Sequence, residues 1–136
     1  YQLMQFWQPL LKNPSGEKSM DEFAVAIDKL PKIVFSHTLK TTEWESAKLS
    51  NQVLEKEVSE LKKQSSKDTL VGSRSLIIQL IELNLIDEFQ LCVHPVVVGK
   101  GLPLFDKINN RTFFKLLKTK IFDSGAIVLY YEPAQQ

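Results

Sequence analysis

The residues best suited to chemistry in this chain surround Gly72, where an apolar run meets an apolar helix pattern. Residues 69–71 predict a short strand, and the helix pattern begins at Ser73 or Arg74 and continues to Leu83. The start of a helix leaves backbone N–H groups unpaired, and these groups attract anions. Glycine permits a close backbone approach, and a serine hydroxyl supplies a cap or a hydrogen bond to phosphate. The spacing therefore predicts a phosphate site here.

A second polar group of residues, Ser36, His37 and Thr38, ends the short apolar run 32–36 that we predict as a buried strand. We call these three residues the hydroxyl cluster. Short hydroxyl side chains at a strand end can donate hydrogen bonds to a phosphate monoester. A protonated histidine can face the same negative charge. The cluster is therefore a second candidate for phosphate binding.

Each pattern also has a plainer structural interpretation. Gly72 and Ser73 can form a turn and a helix cap without any ligand, and the hydroxyl cluster can simply end its strand. His37 alone is weak evidence, because a lone exposed histidine is usually incidental. The guanidinium of Arg74 can form a surface salt bridge instead of contacting a phosphate. Both interpretations stay open at this point.

Three other groups invite a functional interpretation that their spacing does not support. The glycine loop 99–101 is followed by no helix pattern and lacks the spacing of a Walker loop. Asp87 and Glu88 stand at the start of a predicted strand, where capping or sheet-edge hydrogen bonds are the expected role. His94 has no second histidine or cysteine at ligand spacing. We therefore expect no metal site and name no catalytic residue.

Length, charge and cysteine usage limit the function classes. The 136 residues, 43% of them hydrophobic, suffice for one core and one domain. A formal net charge of +1 gives no broad basic face for nucleic acid, so a small-molecule ligand fits better. Cys92 is the only cysteine, which excludes an internal disulfide and makes a reducing, cytoplasmic setting the default. No apolar run approaches the ~20 residues that cross a bilayer, and no secretory signal is visible, so no membrane partner is expected.

Helices and strands alternate in the N-terminal part of the sequence. Residues 3–11 predict a helix or helical turn. Ser19 and Glu22 have the spacing of a capping box at the start of a second helix, which Pro31 ends. One face of this helix is predicted to carry three apolar residues: Phe23, Ile27 and Leu30.

The C-terminal part predicts an amphipathic helix over residues 51–64 and one βαβ step, in which strands 69–71 and 86–98 flank the apolar helix. Two strand-like runs, 113–122 and 126–131, then predict an antiparallel hairpin. The predicted fold class is α/β, with a mostly parallel central sheet flanked by helices and an antiparallel hairpin at the C-terminus.

Several stretches together resemble the dihydrofolate-reductase-like family. More specifically, they are similar to stand-alone relatives of the reductase domain at the C-terminal end of the bifunctional riboflavin-biosynthesis deaminase/reductase. The resemblance extends over residues 1–133 and is carried by KIVFSHTL at 32–39, Trp44, DTLVGSRSLIIQLIELNLIDEFQL at 68–91, PVVVGKGLPLF at 95–105 and the terminal hairpin.

The resemblance implies an NADPH-dependent reductase that transfers hydride to a pterin-, pyrimidine- or ribosyl-type small molecule. Family members of this kind include 5-amino-6-(5-phosphoribosylamino)uracil reductase and dihydrofolate reductase. The cofactor pyrophosphate maps onto five residues: Gly72, Ser73, Arg74, Ser75 and Leu76. The adenosine-ribose phosphate maps onto the hydroxyl cluster, Ser36, His37 and Thr38. Nearby Lys40, and the lack of an acidic residue between positions 33 and 42, also favour NADPH over NADH.

The sequence departs from the family pattern at two positions. Ser73 replaces the second glycine usual at the turn, and Leu70 stands where riboflavin-pathway reductases tend to carry a substrate-binding glutamate. An apolar side chain cannot replace that acceptor, so we expect a different native substrate. Tyr1 resembles the last residue of the family's Gly-Arg-x-Thr-Tyr motif. The single domain 1–136 is therefore expected to lack its N-terminal strand and substrate segment, and no proton donor can be named.

Two further expectations concern activity and assembly. A non-catalytic nucleotide-binding or dimerisation module of the same fold stays open as an alternative, because function lies in the site rather than the fold. The terminal hairpin carries more large apolar groups than one sheet face of a small domain readily covers, so we expect a homodimer. These groups are Phe113, Phe114, Leu116, Phe122, Ile127, Leu129, Tyr130 and Tyr131.

Overall fold

The computed structural model describes residues 1–64 and 67–134, and the chain divides into an N-terminal unit, Tyr1–Leu54, and a C-terminal unit, Glu55–Gln136. A 3₁₀ turn at Met4–Trp7 is followed by α1 Gln8–Lys12, α2 Lys18–Lys29, β1 Lys32–Val34, β2 Ala47–Leu49, α3 Leu54–Gln64, α4 Arg74–Glu82, β3 Phe89–Val93, β4 Phe114–Ile121 and β5 Ile127–Pro133. The predicted α/β class is confirmed. Within the described ranges, no helix is long and apolar enough to cross a membrane.

The N-terminal unit is built on the parallel pair β1 and β2, in which Val34 lies opposite Leu49. Its buried core consists of Ile27, Val34, Trp44 and Ala47. The predicted strand 32–36 is two residues shorter than expected, because pairing with β2 ends at Val34. The hydroxyl cluster therefore lies in the loop 35–46 between the two strands.

The start of α2 differs from the predicted capping box. The helix begins before Ser19, whose hydroxyl donates to Glu17 Oε1 at 2.8 Å. Glu17 is the N-cap residue, and its side chain makes no capping hydrogen bond to the described backbone. The carboxylate of Asp21 instead reaches back and accepts hydrogen bonds from the backbone N–H of Ser15 (2.8 Å) and of Gly16 (3.2 Å). The predicted capping box is therefore wrong, and Asp21 orders the preceding loop.

The buried face of α2 is also narrower than predicted. Ala24 and Ile27 are buried, whereas Phe23 is 46% exposed and Leu30 is 53% exposed. The ring of Phe23 packs edge-on against Trp7, with 4.7 Å between the ring centroids. The prediction chose the largest apolar side chains, whereas the small Ala24, 1% exposed, is the most buried residue of the helix.

The C-terminal unit contains a three-stranded antiparallel sheet in the order β3-β5-β4. Strands β4 and β5 form the predicted hairpin, with Ile121 opposite Ile127, and this prediction is confirmed. Gly125 adopts a φ of +81° in the connecting turn, where a Cβ would also approach the Pro95 side chain at 3.2 Å. The register shifts between Leu116 and Lys118, which marks a bulge in β4.

The predicted βαβ step is wrong. Helix α4 forms close to its predicted bounds and buries Ile78, Leu80 and Ile81. Residues 69–71 are not paired as a strand, and only Phe89–Val93 of the run 86–98 is paired, antiparallel to β5. Leu70 is 84% exposed and Val97 is 97% exposed, so these apolar residues do not lie in a sheet core. Parallel pairing, predicted for most of the sheet, is confined in the described residues to β1 and β2.

Candidate functional site

The hydroxyl cluster lies in the N-terminal unit, on the first turn of the loop 35–46. Ser36 Oγ accepts hydrogen bonds from the backbone N–H of Thr38 (3.2 Å) and of Leu39 (3.1 Å). The hydroxyls of Ser36 and Thr38 are 3.4 Å apart, and the side chains of His37 and Thr38 are exposed. Ser36 therefore folds the turn by accepting two backbone N–H groups, and its hydroxyl also lies within hydrogen-bond distance of the Thr38 hydroxyl.

A cavity of about 360 Å³ adjoins this turn within the N-terminal unit. Two hydroxyl residues, Thr38 and Thr41, and one cationic residue, Lys40, line it. Glu43 also lines it, and the backbone N–H of Glu43 donates to the hydroxyl of Tyr1 at 3.0 Å. The lining thus combines two hydroxyl residues and one lysine, which suit an anionic ligand, with one carboxylate, that of Glu43. The sequence signalled Lys40 but gave no signal for Thr41.

The glycine turn lies in the C-terminal unit, directly before α4. Gly72 is exposed, its φ lies outside the left-handed region, and a Cβ added to it would meet no atom within 4 Å. The free space at Gly72 therefore leaves the backbone accessible to a ligand. A larger side chain here would occupy that space without straining the chain.

Ser73 occupies the N-cap position of α4 with an extended backbone, and its carbonyl oxygen accepts a hydrogen bond from Ile77 N at 2.8 Å. Its hydroxyl is 3.1 Å from Ser75 Oγ, and no described side chain caps the helix. The predicted side-chain cap is therefore absent. Leu76 is half-buried in the first helical turn, so its contribution to an anion site would come from its backbone N–H.

Arg74 forms the salt bridge that the plainer interpretation allowed. Its guanidinium pairs with the carboxylate of Asp106, and its Nε donates to the carbonyl oxygen of Pro103 at 2.7 Å. Both bonds connect the start of α4 to the segment after the glycine loop 99–101. The guanidinium is thus engaged within the C-terminal unit, whereas the backbone N–H of Arg74 belongs to the first helical turn.

The acid pair has structural partners. Asp87 forms a salt bridge with Lys62 at 2.7 Å, and Glu88 accepts a hydrogen bond from the side chain of Gln90 at 2.7 Å. The part of the chain that the structure describes contains no group of three or more His, Cys, Asp or Glu residues arranged to hold a metal ion. Both carboxylates thus bind neighbouring side chains, whereas capping or sheet-edge hydrogen bonds were expected for them.

Two proteins of Bacillus subtilis (strain 168), both uncharacterized, are similar to this chain in sequence. YyaP is 37% identical over 124 residues, a match that covers 90% of this chain and 64% of YyaP. YwjB is 39% identical over 62 residues, which covers 46% of this chain and 35% of YwjB. The chain thus spans less than two thirds of the length of either relative.

Two solved structures show the same fold at low sequence identity. A Shewanella sp. PV-4 protein, provisionally named a riboflavin biosynthesis protein, is 17% identical with a TM-score of 0.69, over 87% of this chain and 71% of the other. A pyrimidine reductase-like protein from Corynebacterium diphtheriae is 16% identical with a TM-score of 0.53, over 90% of this chain and 48% of the other. The predicted dihydrofolate-reductase-like α/β fold is therefore confirmed. The family model for the RibD C-terminal domain matches residues 2–128 of the sequence. The chain therefore belongs to the RibD C-terminal domain family.

Proposed function

We propose that this domain is an NADPH-dependent reductase acting on a small molecule. Family membership supports a reductase-like function. The observation that carries the proposal is the start of α4, where an exposed glycine precedes a helix that no described side chain caps. Such a helix start combines unpaired N–H groups with the positive end of the helix dipole. This is the chemistry that a dinucleotide pyrophosphate requires.

In this proposal the pyrophosphate contacts five residues through backbone groups and short hydroxyls: Gly72, Ser73, Arg74, Ser75 and Leu76. Arg74 contributes its backbone N–H, because its guanidinium already pairs with Asp106. Ser73 and Ser75 contribute hydroxyls that lie 3.1 Å apart on the exposed side of the helix start. The absence of a side-chain cap leaves the first helical turn accessible to the ligand.

The hydroxyl cluster binds the 2′-phosphate of the adenosine ribose in the same proposal. Ser36 and Thr38 donate hydroxyl protons, and His37 faces the phosphate. Lys40 and Thr41 add a cation and a third hydroxyl from the adjoining cavity. A phosphate monoester is dianionic near neutral pH, so a cluster with donors and a cation favours NADPH over NADH.

The nicotinamide supplies hydride to a C=N or C=O carbon of a pterin-, pyrimidine- or ribosyl-type substrate, while the protein contributes orientation and electrostatics. Leu70, 84% exposed, offers no acceptor where riboflavin-pathway reductases tend to carry a glutamate, so we propose a different native substrate. The single-domain assignment and an upstream substrate segment stay predictions, and no residue of this chain is assigned as the proton donor.

We further propose a homodimer. In β4, Leu116 is 48% exposed, Leu117 is 44% exposed and Ile121 is 72% exposed. Apolar groups concentrated on one strand favour burial against a second copy. A cytoplasmic location stays the expectation that the lone Cys92 suggests.

Equilibrium titration with NADPH and NADH tests the proposed function. The reductase proposal expects tighter binding of NADPH, followed by NADPH oxidation when pterin and pyrimidine compounds are supplied. Binding without oxidation of NADPH by any such compound would favour the non-catalytic nucleotide-binding module. Binding of neither cofactor would leave the dimerisation module as the better explanation.

A further inference from the structure

Trp44 is a loop residue that lies in the core of the N-terminal unit. It belongs to the loop 35–46 that carries the hydroxyl cluster, yet only 3% of its surface is exposed. Its core neighbours include Ile27 and Val34, and its carbonyl oxygen accepts a hydrogen bond from Ala47 N at 2.9 Å. Trp44 therefore anchors the end of the loop that leads into β2.

Polar contacts fix the orientation of this anchor. The indole Nε1–H of Trp44 donates to Asp28 Oδ1 on α2 at 2.7 Å. The Nζ of Lys32, the first residue of β1, lies 4.0 Å from the centroid of the indole ring. The same Nζ donates to Ser46 Oγ at 2.6 Å and to the carbonyl oxygen of Leu30 at 2.8 Å. Loop, helix and strand thus meet around one indole.

The first half of the loop also contacts this core. Leu39 packs against the buried cluster that contains Trp44. The backbone N–H of Leu39 also donates to Ser36 Oγ at 3.1 Å, and Thr38 between them lines the cavity. The hydroxyl cluster is therefore joined, through Leu39, to the buried cluster that contains Trp44.

We propose that Trp44 and Asp28 are positioning residues that hold the hydroxyl cluster in a geometry suited to the 2′-phosphate of NADPH. This inference rests on the proposed function. Hydrogen bonds to phosphate depend on donor placement, so a loop that loses its anchor loses affinity for that group. NADH has no 2′-phosphate, and its affinity therefore does not depend on the anchor.

Three variants test whether the hydrogen bond between the Trp44 indole and the Asp28 carboxylate, and not the packing around it, holds the hydroxyl cluster in place. Trp44→Phe keeps an aromatic ring and removes the Nε1–H donor, whereas Asp28→Ala removes the acceptor. Asp28→Asn removes the charge but keeps an oxygen that accepts the indole N–H. Trp7→Phe is the matched control, since Trp7 packs against the same core but lies outside the loop.

The first readout is the ratio of NADPH to NADH affinity. Trp44→Phe and Asp28→Ala are expected to weaken NADPH binding about three- to tenfold, the effect of one hydrogen bond, with NADH binding unchanged. Asp28→Asn and Trp7→Phe are expected to keep the wild-type ratio. Equal losses for both cofactors, or no rescue by Asp28→Asn, would overturn the positioning role.

Amide hydrogen exchange of residues 36–43 in the ligand-free protein is the second readout. The amides of Thr38 and Leu39 are expected to exchange faster in Trp44→Phe and Asp28→Ala but not in Asp28→Asn. Unchanged exchange in both deletion variants would overturn the inference independently of any cofactor. A wild-type protein that binds no NADPH would instead refute the proposed function, together with the cofactor-specific part of this inference.

Discussion

Arg74, the first residue of α4, pairs with Asp106, which lies beyond the glycine loop in the sequence. The side chain of Arg74 is 32% exposed and that of Asp106 is 38% exposed. A second bond, from Arg74 Nε to the carbonyl oxygen of Pro103, fixes the plane of the guanidinium. The side chain of Arg74 thus connects the segment after the glycine loop 99–101 to the start of α4. The sequence had predicted a contact between this arginine and the cofactor phosphate.

Replacing either partner of this pair separates the two roles of Arg74. Arg74→Ala and Asp106→Ala each remove the salt bridge, and we expect each to lower the free energy of unfolding by about 0.2–1 kcal/mol, as for exposed pairs. If Arg74 acts on NADPH through its backbone alone, neither variant removes a contact with the phosphate, and we expect NADPH affinity to change little in either. A much larger loss of affinity in Arg74→Ala than in Asp106→Ala would show that the guanidinium contacts the phosphate directly.

Lys40 is expected to determine cofactor preference through charge. Lys40→Met keeps the length of the side chain and removes the cation from the cavity lining. We expect NADPH affinity to fall about tenfold with NADH affinity unchanged, because a charged hydrogen bond to phosphate is lost. Lys48→Met, at an exposed position on β2, is the matched control. Equal NADPH affinity in both variants, measured by titration at constant ionic strength, would exclude Lys40 from the site.

The sequence predicted the helices and the hairpin well, because both depend on local patterns. Helix α4 and the β4–β5 hairpin follow from apolar periodicity and a turn glycine. The prediction of a strand at 69–71 was wrong, because strand pairing depends on partners that are distant in the sequence. β3, expected to belong to the same parallel step, pairs antiparallel with β5. An apolar run by itself does not specify such a partner.

For the candidate site, residue types were predictable but side-chain partners were not. Ser73 at the start of α4 was found from the sequence, yet its hydroxyl lies near Ser75 Oγ and not on a backbone N–H. The bond between Trp44 and Asp28 joins residues 16 positions apart in different elements, and no local pattern signals it. Such contacts arise only when tertiary packing brings the elements together.

The pKa of Asp21 gives a prediction for acid stability. The backbone N–H and the hydroxyl of Ser15 lower this pKa from its ordinary value of 3.8, and the N–H of Gly16 adds to the effect. A carboxyl with a lowered pKa in the folded state stabilises the protein above its ordinary pKa and loses that contribution as the pH falls through the folded value. The stabilising effect of Asp21 is therefore expected to be lost as the pH falls below 3.8.

Thermal melts of wild type and Asp21→Ala between about pH 2 and about pH 6 measure this contribution. The melting temperatures of wild type and variant are expected to differ at the upper end of this pH range and to converge at its lower end. Glu22→Ala is the control, because the i,i+4 contact of Glu22 with Lys18, at 3.7 Å, is exposed. A difference in melting temperature that stays constant across the range would contradict the role given to Asp21.

Ile121 is expected to contribute to the homodimer interface. The side chain is 72% exposed at the end of β4, and Ile121→Lys replaces this exposed apolar side chain with a charged one. Light scattering at micromolar concentration is expected to report a dimer for wild type and a shift towards monomer for the variant. Lys118→Ala, also on β4, controls for a change of charge. A monomeric wild type would refute the assembly.

Gly72→Val tests most directly whether the start of α4 binds the cofactor pyrophosphate. A Cβ at residue 72 would meet no protein atom within 4 Å, and φ there lies outside the left-handed region, so the variant is expected to fold with the wild-type melting temperature. Gly101→Val, at a second exposed glycine with the same free space, is the matched control.

With pyrophosphate against the helix start, the valine side chain blocks the approach of the ligand, and NADPH affinity is expected to fall by at least about tenfold, or 1.4 kcal/mol. Ser73→Ala is expected to cost less, about 0.5–1.5 kcal/mol of binding free energy for one hydrogen bond. The decisive measurement is NADPH titration of Gly72→Val beside wild type and Gly101→Val. We expect a loss of affinity confined to Gly72→Val, and a folded Gly72→Val protein that binds NADPH as tightly as wild type would show that the start of α4 does not bind the pyrophosphate.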